Sequence, residues 1–108
     1  MIKLCWLALL LSITCLTTAC SAEIGDTCGT NVECASMPGA ICDISIPEGY
    51  CTFSNCRPNG CPDNAVCIDF DDVSSYCMRY CEDDGECRDG HVCRKDRGSK
   101  GFCYLPAK

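Results

Sequence analysis

A small disulfide-rich fold, built as three tandem β-hairpin repeats with minimal regular secondary structure, is the architecture this sequence encodes. Two observations lead to it. Of 108 residues 15 are Cys, and the last twelve of them recur as three groups of four. A short chain above ~8–10 % Cys reads as a cross-linked scaffold. Thiols at that density are kept as disulfides in oxidising compartments and are rare in cytosolic enzymes. The length allows one ordinary domain at most. The formal net charge is -6 and the pI about 4.5, the opposite of the basic face a nucleic-acid binder shows.

Residues 1–19 read as an export signal. Lys3 carries the only charge before Glu23, and a 13-residue uncharged, mostly apolar run extends from Leu4 to Leu16. A positive start followed by such a run is the secretory pattern. It falls short of a membrane span, which needs ~20 apolar residues. The run ends Leu16-Thr17-Thr18-Ala19-Cys20. A small residue directly before a Cys at this place resembles the lipobox of bacterial lipoprotein signals, although Thr17 stands where that family usually has Leu. The resemblance implies that the Cys20 thiol receives a diacylglycerol, that the chain is cut before it, and that the protein is anchored to a membrane. Ser21 then implies outer-membrane sorting. An ordinary cut after Ala22, giving a secreted protein, is the alternative. Parity fits either: Cys5 and Cys15 leave with the signal, and of the thirteen Cys that remain, Cys20 is lipidated or lost. Residues 20–27 are then an anchor Cys and a linker.

The twelve remaining Cys are Cys28, Cys34, Cys42 and Cys51; Cys56, Cys61, Cys67 and Cys77; Cys81, Cys87, Cys93 and Cys103. The fourth Cys of each group steps by 26 residues, the mark of an internal repeat. The repeats are 28–52, 53–78 and 79–108. Before the third Cys stand Pro38-Gly39-Ala40-Ile41, Asp63-Asn64-Ala65-Val66 and Asp89-Gly90-His91-Val92. Around the fourth stand Gly49-Tyr50-Cys51, Ser75-Tyr76-Cys77 and Gly101-Phe102-Cys103. Turn residues followed by β-branched and aromatic residues read as two short strands and a connecting loop. The loops fall at 43–49, 68–75 and 94–101. After residue 22 no helical periodicity exists, and only 82–86 admits a short helical turn.

A unit of this size cannot bury its own core; below ~40 residues disulfides or metals are usually needed. Four Cys allow three connectivities. Pairing first to third and second to fourth is the expectation, because it ties the N-terminal loop to both hairpin strands. The short separations between groups lead us to expect little inter-repeat core and nearly independent units.

The third group, Cys81-Glu82-Asp83-Asp84-Gly85-Glu86-Cys87-Arg88-Asp89-Gly90-His91-Val92-Cys93, is similar to the start of Dickkopf-type N-terminal Cys-rich modules, with Asp84 in their Asp place. The other repeats fit more loosely. The same tandem look is found in Cys-rich bacterial lipoproteins. The resemblance implies extracellular protein binding.

Other chemistries find little footing. Zinc sites favour close Cys pairs, and no Cys-x-x-Cys exists in the chain. That spacing also argues against a thioredoxin-like redox site. Asp69, Asp71 and Asp72, and Glu82, Asp83, Asp84, Glu86 and Asp89, supply hard oxygens without the EF-hand order, so we expect solvated acidic loops and no metal or cofactor. His91 is the only His, expected on a strand edge, and no Gly-x-Ser-x-Gly nucleophile motif is present; we expect no enzyme. Charge is uneven: residues 79–108 hold six acids and seven bases, with the bases Arg94, Lys95, Arg97 and Lys100 in one hairpin loop. The acidic stretch at 82–89 either pairs with those bases or leaves them to bind. Ile44, Ile46, Phe53, Phe70 and Leu105 are candidate apolar contacts. The expected role is an exported surface module that binds an extracellular or envelope protein or a glycan, or serves structurally. The rival is a secreted protease inhibitor that offers the basic loop 94–100.

Thiol titration of the denatured, unreduced mature chain should find no free thiol. Two or more per chain would contradict the scaffold.

Overall fold

The computed structural model describes residues 21–107. The export signal and Cys20 lie outside the described residues. Strands β1 (Ile41–Cys42) and β2 (Cys51–Thr52) pair antiparallel. Strands β3 (Ala65–Asp69), β4 (Ser75–Cys81), β5 (Val92–Arg94) and β6 (Gly101–Tyr104) form a four-stranded antiparallel sheet in the order β3-β4-β6-β5. Two 3₁₀ turns complete the elements, Asn31–Cys34 and Asp84–Glu86. The second lies within the stretch that admitted a helical turn. The first rests on a Thr-x-x-Glu capping pattern: the Glu33 carboxylate accepts from the backbone N–H of Gly29 at 2.5 Å and of Thr30 at 3.0 Å.

Each repeat contains the hairpin its turn chemistry encodes, and the third and fourth Cys face each other across it. Cys42 is opposite Cys51, Cys67 opposite Cys77, and Cys93 opposite Cys103. They bond elsewhere. The six bridges are Cys28–Cys42, Cys34–Cys51, Cys56–Cys67, Cys61–Cys77, Cys81–Cys93 and Cys87–Cys103. Every group pairs first to third and second to fourth, and no bridge crosses between repeats. Each closes a loop of 11 to 17 residues, worth about 3 kcal/mol in the chain-entropy model.

The small residue two places before the fourth Cys has one cause in all three repeats. A side chain at Gly49 would collide with the carbonyl oxygen of Cys28, and one at Gly101 with that of Cys81. In the middle repeat the Ser75 hydroxyl donates to the carbonyl of Cys56 at 3.0 Å. In every repeat this position meets the backbone of the first Cys. Gly49 also sits at φ +75, where a side chain is strained in any case.

The structure corrects three sequence-based expectations. The segment 21–27 is not a free linker. Gly25 N–H donates to Cys51 O at 2.9 Å and Cys51 N–H to Asp26 O at 3.0 Å, and Ile24 is fully buried. The segments between groups are likewise paired: Cys77 N–H donates to Phe53 O and Asn55 N–H to Ser75 O, while Tyr80 and Cys81 pair with Phe102 and Gly101. The chain entering each first Cys thus lies beside that repeat's fourth-Cys strand. β4 serves both roles, as the fourth-Cys strand of repeat 2 and the entering strand of repeat 3. Second, the repeats share a core. Ile24, Ile46 and Tyr50 of the N-terminal third pack with Ile68, Cys77 and Met78 of the middle and with Phe102 of the last. Close chain separation, expected to exclude such a core, instead brings the hairpin faces into contact. Third, of the candidate apolar contacts Ile46 is buried in that core and Phe53 and Phe70 pack against it, while Ile44 is 75 % exposed.

Because one core joins the repeats, residues 21–108 should melt in a single calorimetric transition. The fragment 79–108 should form its two bridges without native stability, since Phe102 loses its cover. Gly101→Ala should cost about 1–3 kcal/mol by overpacking, read from chemical denaturation.

Candidate functional site

Two places gather side chains with chemistry: the paired tips of the second and third hairpins, and a buried joint between the first and third repeats.

At the tips, loop 70–74 joins β3 to β4 and loop 95–100 joins β5 to β6. The four basic residues expected to bind divide into two kinds. Arg94 donates to both carboxylate oxygens of Asp96, at 3.0 and 2.6 Å, and its guanidinium lies 5.6 Å from the Phe102 ring centroid and 5.5 Å from that of Tyr104. Arg97 reaches across to the other tip, donating to Phe70 O at 3.0 Å with its guanidinium 5.4 Å from the Phe70 ring centroid. Both cations sit on an aromatic cluster in which Phe70 is 5.2 Å from Tyr104 and 6.0 Å from Phe102 and from Tyr76, a favourable arrangement of cation and ring faces. Lys95 and Lys100 stay exposed. The ion pair with Asp96 raises the Arg94 pKa and lowers that of Asp96.

Between the tips lies an open cavity of about 620 Å³ lined by Asn55, Asp69, Phe70, Asp71, Asp72, Val73, Ser74, Ser75 and Arg97. Asp71 is already engaged: its carboxylate accepts from Val73 N–H at 2.8 Å, and that bond holds its pKa below the usual value. The acidic stretch 82–89 does not pair with the basic loop. Its carboxylates serve the local backbone instead. Asp83 accepts from Gly85 N–H, Glu86 from Glu82 N–H, and Asp84 from Cys93 N–H. Among the described residues, the metal-capable groups brought within reach of one another are sulfurs. They are Cys28, Cys34 and Cys51 and their counterparts in the other repeats, all consumed in disulfides.

The joint was not legible as a site. Tyr50 is 1 % exposed. Its hydroxyl donates to Cys103 O at 3.0 Å and accepts from Arg79 N–H at 3.0 Å, so one oxygen touches the ends of β4 and β6. Burial, the largest cause, pushes its pKa up to about 12. Arg88 closes the joint from the third repeat. It donates to the carbonyls of Gly25 at 2.8 Å, Pro47 at 3.0 Å and Gly49 at 2.6 Å, and lies 5.4 Å from the Tyr50 ring centroid. His91 stacks on the same ring, centroid to centroid 5.7 Å at 7°. It is 7 % exposed, in contrast to the expected strand edge, and its Nδ1 is buried without a partner. The sequence signal for Tyr50 was present, as the aromatic preceding the fourth Cys. Nothing in the spacing marked Arg88.

Compared with known proteins, the chain matches no family model, no curated protein and no solved structure.

Tyr50→Phe removes one donor and leaves the Arg79 N–H and Cys103 O unsatisfied, so it should cost about 1–3 kcal/mol. The wild type should lose stability as pH rises from the ordinary phenol value near 10 toward about 12, because the folded state holds the Tyr50 proton more tightly. Rapid denaturant titrations at stepped alkaline pH should show that slope, and in Tyr50→Phe it should be much reduced.

Proposed function

We propose that this protein is an exported, lipid-anchored surface module that works by binding, or by scaffolding, and performs no catalysis. Six disulfides belong to an oxidising, extracytoplasmic setting. No helix of the described residues is long and apolar enough to cross a membrane; the attachment we propose is a lipid on Cys20, as the lipobox resemblance implies. The partner is an extracellular or envelope protein or a glycan, as the resemblance to Dickkopf-type modules and Cys-rich lipoproteins implies.

One observation carries the binding reading. Arg97 fastens one hairpin tip to the other across an open cavity, while the disulfides are spent below the tips. The result is a polar, displayed surface, with Lys95 and Lys100 exposed on one tip and the carboxylates of Asp69 and Asp72 lining the cavity. The same geometry weighs against loop 94–100 as protease bait, since Arg94 and Arg97 are turned onto their own aromatic cluster.

Cys20→Ala should leave the protein soluble or as uncleaved precursor on fractionation. A mature-sized, membrane-bound Cys20→Ala species would overturn the lipid anchor. Reversal of charge at Lys95 and Lys100 together should weaken recovery of envelope partners by crosslinking and leave the melting temperature unchanged. A tight stoichiometric complex with a trypsin-like protease would favour the inhibitor instead.

A further inference from the structure

The joint between the first and third repeats contains an imidazole, the side chain whose ordinary pKa lies nearest neutrality, in an unusual setting. His91 immediately precedes β5, packed flat against Tyr50 from the first repeat. Its Nδ1 is buried and has no hydrogen-bond partner among the protein groups around it. Protonation makes both ring nitrogens donors, and a buried donor without an acceptor is costly. It also creates a second cation beside Arg88, which already rests on the same Tyr50 ring.

We propose that this joint is an acid-labile latch, released when His91 takes up a proton. The charged and titratable groups around His91 favour that direction. Burial is the largest influence and Arg88 the next, and both lower the imidazole pKa below its ordinary value; Glu48, on the exposed loop preceding Tyr50, opposes them. Tyr50 remains neutral throughout this range, because burial raises its pKa. An imidazolium is attracted to a phenol face, but here the same ring already carries a guanidinium and is withdrawn from water.

The sign follows from linkage. The closed joint binds the His91 proton more weakly than an open one does. The latch therefore contributes fully above the ordinary imidazole value of about 6.5, and its contribution is lost as pH falls from there through the depressed folded value. What opens is limited. The six bridges, the β3-β4-β6-β5 sheet and the Ser54–Tyr76 bridge do not involve His91. The bonds at stake are those of Arg88 to Gly25, Pro47 and Gly49 and of the Tyr50 hydroxyl to β4 and β6. Acid should swing the first repeat, with its N-terminal segment, away from the third while both keep their hairpins.

Amide hydrogen exchange by NMR on the disulfide-intact chain tests this. Arg79 N–H, which donates to the Tyr50 hydroxyl, reports the joint; Cys77 N–H, which donates to Phe53 O, reports the pairing of segment 53–55 with β4, which His91 does not touch. Between about pH 7.5 and 5.5, across the range where imidazoles titrate, the protection factor of Arg79 should fall by up to about tenfold per pH unit below the ordinary value, with Cys77 unchanged. In His91→Phe, which keeps a flat ring on Tyr50 and removes the proton site, Arg79 protection should stay level. An equal fall in His91→Phe, or level protection in the wild type, overturns the latch. Should His91→Phe not fold, the wild-type ring resonances decide. A His91 midpoint below the ordinary value, moving together with Arg79 protection, supports the latch; a midpoint at or above it overturns the proposal.

Discussion

One hydroxyl sets the relation of the three repeats. The Tyr50 oxygen is buried, and a buried phenol needs partners. It finds them in Arg79 of β4 and Cys103 of β6, so the first repeat is positioned by backbone groups of the third. Thr52, two residues on in β2, adds a tie to the middle repeat by donating to Cys77 O at 2.7 Å. Around Tyr50 the shared apolar cluster closes, and Arg88 covers it with three hydrogen bonds to main-chain carbonyls. The disulfides brace each repeat internally and say nothing about how repeats meet. That relation is left to the shared strand β4, the common apolar core and a few polar contacts centred on Tyr50.

The sharing of strands explains why repeats with self-contained bridges are not self-contained units. A strand that ends one hairpin continues into the opening of the next, so removing a repeat takes away a neighbour's edge. Nearest-neighbour coupling of this kind is ordinary in repeat arrays. Here it is strengthened because Tyr50 and Arg88 link the first repeat directly to the third, past the middle one.

Much of the architecture was legible in the sequence because covalent and turn chemistry is local. The Cys period marked the three hairpins, and the Pro-Gly, Asp-Asn and Asp-Gly pairs marked the turn that leads into each hairpin's first strand. The crossed bridges followed from asking which pairing ties three chain segments together. The small residue before each aromatic was visible as a pattern, but its cause, a carbonyl of the first Cys pressing on it, needs coordinates. Ile24 read as linker because the strand that receives it lies about a repeat further along the chain. His91 read as a strand-edge residue and Arg88 drew no reading, since burial of a charged side chain depends on distant carbonyls that no local window contains. Of the basic loop, the charges were legible and their direction was not: Arg94 lies over the β6 rings Phe102 and Tyr104, and Arg97 over Phe70 of the neighbouring loop.

The third and fourth Cys of each hairpin oppose one another yet belong to different bridges. In sequence they are nearer to each other than the partners in any of the six native bonds. Loop closure at these lengths differs little in cost, so pairing of the third Cys with the fourth competes with the native bonds while each repeat oxidises. Conversion of such a bond to the native pair runs by thiolate exchange through a mixed disulfide. In each folded repeat the sulfur of the first Cys lies within 4.8 Å of both sulfurs of the second bridge, so the sulfurs that such an exchange links are gathered in one cluster.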